Sequence, residues 1–199
     1  LGPLDEAASI ALFEDRGAQA RRGFSLTPED AAIVAEIAVR VDHMPLAIEL
    51  AAARVALLAP ERILSRLSRR FQTLRASTGA GDARHNTLQA TIDWSWALLS
   101  PWEQAALLQL TVFRSGFEME SAEAVLDLSD TPQAPRPMAV IGELVDQSLL
   151  HSRMVSGRLR FDMLTSIREY AAEQHEATGP STAHLRHVAH FATLGSREH

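Results

Sequence analysis

Only once along this chain does the spacing of apolar residues change period. Arg158-Leu159-Arg160-Phe161-Asp162-Met163 alternates polar and apolar, as a half-buried strand does. Ser148 to Val155 is a plausible partner strand, with Ser156-Gly157 at the turn between them. Elsewhere the apolar residues fall at helical spacing. Helices followed by a single hairpin form a winged-helix pattern, so the expected fold is mainly α: a helical bundle, then a winged-helix domain with one β-hairpin. Alanine and leucine dominate the composition and β-branched and aromatic residues are few, which favours helices throughout.

Four helices are expected in the first half. The first runs from about Asp5 to Ala20. The second opens at Thr27-Pro28-Glu29-Asp30, with Thr27 as N-cap, Pro28 at the first helical position and acids in the first turn. Its buried face is Ile33, Val34, Ile37 and Val41. A break at Asp42-His43-Met44 precedes Pro45, which starts a third helix reaching about Leu58. A fourth follows Pro60, with Ile63, Leu64 and Leu67 inward. The small, polar stretch Ala76 to Asp82 is the best linker candidate. These boundaries divide the chain into a helical unit at 1–75, a linker at 76–84, a winged helix at 85–178 and a terminal helix at 179–199.

The second half opens with a helix through Leu88, Ile92, Trp96 and Leu99. Ser100-Pro101-Trp102-Glu103 reads as a capping box, Ser at N-cap and Glu three residues on. Short helices follow around Ala122–Leu126 and Met138–Asp146, separated by the irregular, Pro-rich segment 130–137. After the hairpin come a helix from about Leu164 to Ala177 and, past Gly179-Pro180, a last one from His184 to Leu194.

Several chemistries are excluded outright. The chain has no cysteine, which removes disulfides, thiolate metal sites and cysteine nucleophiles. All 19 basic residues are arginine. A phosphate-binding loop of the Walker type needs a lysine, so these 199 residues cannot hold one and are not expected to be an enzyme on their own. No catalytic residue and no metal site is proposed. No apolar run reaches the roughly 18 residues of a membrane span, and the start shows no basic-then-apolar leader. The cytoplasm is the expected location. Without an initiator Met, the chain reads as part of something longer.

The order of several blocks carries a resemblance. Met44-Pro45-Leu46-Ala47-Ile48-Glu49-Leu50-Ala51-Ala52-Ala53-Arg54 resembles a block of the STAND class of signalling NTPases. So do His85-Asn86-Thr87-Leu88, Ile92-Asp93-Trp94-Ser95, Leu98-Leu99, Val112-Phe113, Leu144-Val145-Asp146-Gln147-Ser148-Leu149 and Ile167-Arg168-Glu169-Tyr170-Ala171. Their spacing is similar to the bacterial transcriptional-regulator branch, related to the NB-ARC proteins. The resemblance implies an ATPase core upstream in the same chain, with ATP or ADP bound in the intact protein and no cofactor in this segment. It implies that 1–75 acts as a lid on the nucleotide, that the winged helix reports nucleotide state, and that helical repeats can follow.

Residue by residue, the resemblance places the base-contacting proline at Pro45, flanked by His43, Met44 and Leu46. His43 stands where the family usually has glycine. It places the family's phosphate-sensing Met-His-Asp triplet on Met163, Leu164 and Thr165. Leu164 cannot donate to a phosphate and Thr165 has no carboxylate, so this sensor is degenerate.

Charge bears on partners. Residues 1–80 hold ten arginines and ten acids, whereas 81–199 hold nine and fifteen and carry the whole net charge of −6. The expected recognition helix offers Glu143, Asp146 and Gln147 and nothing basic after Arg136. Phosphate repulsion therefore argues against direct nucleic-acid binding by this segment. His184, His187 and His190 recur every three residues and Arg62, Arg66, Arg69 and Arg70 line one face; both sets read as helix faces before they read as ligand sites. Trp94, Trp96 and Trp102 read as core anchors.

Overall fold

The computed structural model describes residues 3–77, 83–178 and 182–195, with side chains over 3–69, 87–174 and 182–193. Among them the chain forms ten α-helices and one two-stranded antiparallel sheet, the mainly α architecture with one hairpin that the periodicity predicts. It divides into two compact units. The first is residues 1–98 together with Asp146–Ser148; the second is 99–145 with 149–199.

The first unit holds α1 (Glu6–Ala20), α2 (Pro28–Arg40), α3 (Pro45–Ala52), a 3-10 turn (Ala53–Ala56), α4 (Pro60–Ser77) and α5 (Ala83–Ala97). Local chemistry sets its helix starts. Asp5 accepts from the Ala8 backbone N–H at 2.7 Å. Thr27 and Asp30 cap each other reciprocally, satisfying two N–H groups that the first turn would leave unpaired. Phe13, Val34, Ile37, Val41, Ile48, Ile63 and Leu67 form the core with Trp94 from α5. Small residues make α3 the central rod: Ala47, Ile48, Leu50, Ala51 and Ala52 are all buried. The α-helix stops at Ala52 and only the 3-10 turn carries on, short of the expected end at Leu58.

Because α5 packs against α3 and α4, it belongs to the first unit, and the chain divides after Leu98. The linker expected at 76–84 falls mostly outside the described residues. Thr87 on α5 donates to Asp42 Oδ2 at 2.8 Å, tying α5 to the turn before α3.

The second unit holds α6 (Pro101–Leu110), α7 (Met119–Val125), α8 (Pro137–Asp146), β1 (His151–Val155), β2 (Arg158–Asp162), α9 (Thr165–Thr178) and α10 (Ala183–Gly195). The capping box expected at Ser100 is present, with Glu103 accepting from the Ser100 backbone at 2.6 Å. Strand pairing runs from His151 opposite Asp162 to Val155 opposite Arg158. The partner strand begins at His151 and not at Ser148. Ser148 has φ 58°, a left-handed turn that ends α8 while Leu149 and Leu150 both donate to the Leu144 carbonyl. Phe117 extends the sheet by one rung, exchanging two backbone hydrogen bonds with Phe161 at 2.9 and 2.8 Å. Beneath lie Leu107, Leu110, Phe113, Val140, Ile141, Leu144, Leu150 and Ile167.

Candidate functional site

The turn from Val41 to Leu46 is built by the end of α2. Asp42 and His43 both adopt left-handed backbone, φ 52° and 53°. The His43 N–H donates to the Ala38 carbonyl at 2.8 Å and the Asp42 N–H to Val39 at 3.1 Å, the paired bonds of a Schellman cap. A left-handed residue carrying a Cβ costs about 1–2 kcal/mol, which explains why glycine suits position 43 in the resembling family. Here the imidazole offsets that cost. The Ser9 hydroxyl donates to the Asp5 carbonyl at 2.7 Å, so it is His43 Nδ1–H that donates to Ser9 Oγ, at 3.0 Å. Leu4 donates to the His43 carbonyl at 2.9 Å. Met44 is the N-cap of α3 and gives no side-chain cap; Pro45 takes the first helical position. Met44, Pro45 and Leu46 are half-buried, part core and part surface.

At the far end of this rod three sequence blocks converge. The Arg54 side chain is 2 % exposed. Its Nη1 donates to Gln147 Oε1 at 2.9 Å and its Nη2 to the Ser95 carbonyl at 3.4 Å. Arg54 closes the block that starts at Met44, Ser95 ends the one around Trp94, and Gln147 lies in the one at the end of α8. The spacing of these blocks gave no hint that they meet. A buried guanidinium is tolerated only when its donors find acceptors, so the three are interdependent.

Met163, Leu164 and Thr165 belong to the second unit. Met163 is buried and its carbonyl accepts from Arg168 Nη2 at 2.8 Å; Leu164 is exposed, and Thr165 opens α9. The three thus lead into α9, braced by Arg168 on the Met163 carbonyl.

The winged-helix surfaces are α8 and the hairpin. On α8 the exposed residues are Met138, Ala139, Gly142, Glu143 and Asp146, none basic. The hairpin carries Arg153, Arg158 and Arg160, but each faces an acid: Arg153 lies 2.5 Å from Asp162, Arg158 lies 3.2 Å from Glu118, and Arg160 lies 3.6 Å from the same carboxylate. Met154 and Leu159 pair across the strands and are exposed.

The three histidines of α10 divide their roles. His187 packs its ring between Phe113, centroids 5.1 Å apart, and Phe191, 4.8 Å apart. Burial pushes its pKa down from the usual imidazole value, helped by the neighbouring His184 and His190. His190 Nε2 lies 3.1 Å from Ser121 Oγ. Arg186 fastens the same helix by donating to the Val125 carbonyl at 2.6 Å and to Gln109 at 2.8 Å. Asp127, 3.6 Å from Arg186, has its pKa lowered by the Ser129 hydroxyl and N–H and then by that arginine. No cluster of three or more metal-ligating side chains occurs among the described residues. Trp94 is buried, Trp96 and Trp102 half-buried, and Arg62, Arg66 and Arg69 exposed on α4; the Arg70 side chain lies outside the described set. No helix among the described residues is long and apolar enough to cross a membrane.

Comparison with known proteins bears on the second unit first. Residues 99–176 match the family model described as a winged helix-turn-helix domain. The chain is 37% identical over 195 residues to the Mycobacterium bovis protein named "Putative HTH-type transcriptional regulator Mb0914c", and equally to "Putative HTH-type transcriptional regulator Rv0890c" of Mycobacterium tuberculosis. It is 38% identical over 177 residues to "Uncharacterized protein Rv0894" of Mycobacterium tuberculosis. These matches take in 96% and 89% of the chain but only 21% and 45% of the relatives, so the chain spans less than half the length of each. The matched description is coarser than the STAND resemblance: it covers the winged helix and does not extend to a nucleotide. It also corrects the weight given to charge, because a helix-turn-helix with a wing is an architecture that reads DNA, and net charge by itself does not remove that possibility. With α6, α7, α8 and the paired strands inside the matched range, the described residues of 99–176 form a winged helix-turn-helix domain.

Proposed function

We propose that this chain is the regulatory segment of a larger transcriptional regulator, in which the helical unit relays the state of a nucleotide-binding core to the winged helix. One observation carries the reading. The rod α3 has the turn His43-Met44-Pro45-Leu46 at one end and Arg54 at the other, and Arg54 is hydrogen-bonded to Gln147, directly after the recognition helix α8. In this reading a displacement of the turn reaches Gln147, which follows α8 in sequence, through α3 and the Arg54 hydrogen bond. The names of the mycobacterial relatives support the transcriptional setting. ATP or ADP, an upstream ATPase core, downstream helical repeats and a cytoplasmic location belong to the proposal for the intact protein. In it, this segment supplies no catalytic group of its own.

The test is Pro45→Ala in the intact protein. Loss of one apolar contact of a few methylenes should weaken ADP affinity by about 1 kcal/mol with the fold retained. Unchanged ADP and ATP affinities with a lowered Tm would reduce Pro45 to a helix starter and remove the nucleotide link.

A second reading has its own support. The winged helix-turn-helix match and the hairpin arginines Arg153, Arg158 and Arg160 favour direct DNA contact through the wing. A gel-shift series across salt separates the two. Binding whose log affinity falls with log salt by several units of slope, and is reduced by Arg158→Gln, assigns DNA contact to the wing. No retardation at 50 mM salt assigns the winged helix to protein contacts.

A further inference from the structure

Beside the wing, the second unit contains a cleft that shares Arg160 with the wing but whose other lining residues neither reading uses. It is lined by the α6–α7 loop (Thr111–Gly116), Arg160 of β2, and His184, His187 and Phe191 of α10. Its volume of about 620 Å³ falls within the range of small-molecule sites, roughly 300–1,000 Å³. The lining combines two features. Phe113, Val112 and Phe191 supply an apolar, aromatic lining, and His187 lies between the two phenyl rings. Around it stand two guanidiniums and two imidazoles, and not one carboxylate.

That absence runs against the composition of the region, since residues 81–199 carry fifteen acids and only nine arginines. Arg160 is a fixed element: its Nη2 donates to the Ser115 and Gly116 carbonyls, both at 3.2 Å, and its Nη1 faces Glu118 at 3.6 Å. Arg114 is different. It is exposed and has no ion pair or hydrogen bond with any described residue. An unpaired guanidinium lining an aromatic cleft offers a bidentate pair of N–H donors to a carboxylate or phosphate, with the rings beside it for the ligand's aromatic body.

We propose that this cleft binds a small organic anion with an aromatic body, an aryl carboxylate or aryl phosphate, its charge on Arg114 and His184 and its ring against Phe113, His187 and Phe191. The site sits where α10 meets the α6–α7 loop, so an occupant bridges those elements and serves as an effector of the winged helix. The proposal does not depend on the nucleotide reading. Acidity should tune it: an anion favours the imidazolium form of His187, which burial, His184 and His190 hold down and to which Arg114 and Arg160 add like charge. Binding should therefore tighten as pH falls from about 8 to 6.

The experiment is an NMR titration of the 199-residue chain with phenyl phosphate and with benzoate, following the imidazole signals of His184 and His187. Inorganic phosphate and benzyl alcohol test the charge and the ring separately. The expected result is saturable shifts with Kd near or below about 1 mM, at least about ten-fold weaker with either half-probe. Arg114→Gln, at an exposed position, should keep the fold and weaken both aryl anions by roughly ten-fold, as loss of a charge-assisted hydrogen bond does; His184→Gln should weaken them less. Absence of saturation up to about 10 mM, or full affinity in Arg114→Gln, would overturn the site. Displacement of phenyl phosphate by a short DNA duplex would also overturn it, by assigning Arg114 to backbone phosphate.

Discussion

Replacing Gly116 by alanine should be among the most damaging single-methyl changes in the second unit. Gly116 lies in the α6–α7 loop with φ +79°, a left-handed backbone that a Cβ disfavours by about 1–2 kcal/mol. Space is short as well. A Cβ there would lie 2.8 Å from the Phe161 carbonyl oxygen and closer still to Asp162 Oδ1. The Asp162 side chain can rotate if it gives up Arg153, but the Phe161 carbonyl is held by the Phe117 N–H at 2.9 Å and cannot move alone. Forcing such an overlap typically costs about 1–3 kcal/mol, so Gly116→Ala should destabilise by about 2–5 kcal/mol. Two other glycines separate the two contributions. Gly157, at the hairpin turn, has φ +77° but nothing within 4 Å of its Cβ position; Gly157→Ala should cost about 1 kcal/mol or less, once the reduced entropy of the unfolded chain is counted. Gly142 is in α8 with open space around it, and Gly142→Ala should stabilise by about 0.5–1 kcal/mol. Urea denaturation followed by circular dichroism gives all three. If Gly116→Ala falls within about 0.5 kcal/mol of Gly157→Ala, the steric argument fails and left-handed geometry alone accounts for the effect.

At the turn before α3, His43→Gly should change stability by less than about 1 kcal/mol, because relief of left-handed strain offsets loss of the Ser9 hydrogen bond, whereas His43→Val should cost about 2–3 kcal/mol in the same urea assay. For His187 the folded pKa lies below the unfolded value, so the unfolded chain binds more protons; its contribution is present above about pH 6.5 and is lost progressively as pH falls from there through the lower folded value. Thermal melts at pH 7.5 and 5.5 should show a drop that His187→Phe reduces; an equal drop in the variant would exclude His187 as its source. Ser100→Ala should cost about 1 kcal/mol by opening the capping box, read by the same melts.

Helix starts and the hairpin were legible because each is encoded locally. Thr27 with Asp30, Ser100 with Glu103, and Pro at 28, 45, 60 and 101 act within one turn, and the alternation over Arg158–Met163 needs only neighbouring residues. The division of the chain was not legible. Small polar residues at 76–82 resemble a linker, yet Trp94, Thr91 and Ser95 are buried in the first unit. Which face of α5 is covered is decided by α3 and α4, and composition carries no record of that. Ser148 misled for a related reason, since a left-handed residue between apolar neighbours looks like strand until the Leu144 carbonyl is seen to accept from two successive N–H groups. In the candidate sites, Pro45 stood out by its motif. The Arg54–Gln147 pair, 93 residues apart in sequence, and the cleft around Arg114 arise only when distant segments meet.

The membership of Asp146–Ser148 in the first unit has a consequence for the order in which the chain matures on the ribosome. Ninety-eight consecutive residues hold nearly all of that unit's core, but the acceptor for Arg54 Nη1 is Gln147. During synthesis the helical unit can collapse early around Phe13, Ile48 and Trp94, with the Ser95 carbonyl already in place for Arg54, and still lack the Gln147 acceptor. It reaches its final form only after α6, α7 and α8 have emerged. A product that stops between Leu98 and Gln147 should therefore be less stable than one that reaches beyond Ser148, by about the worth of one charge-assisted hydrogen bond.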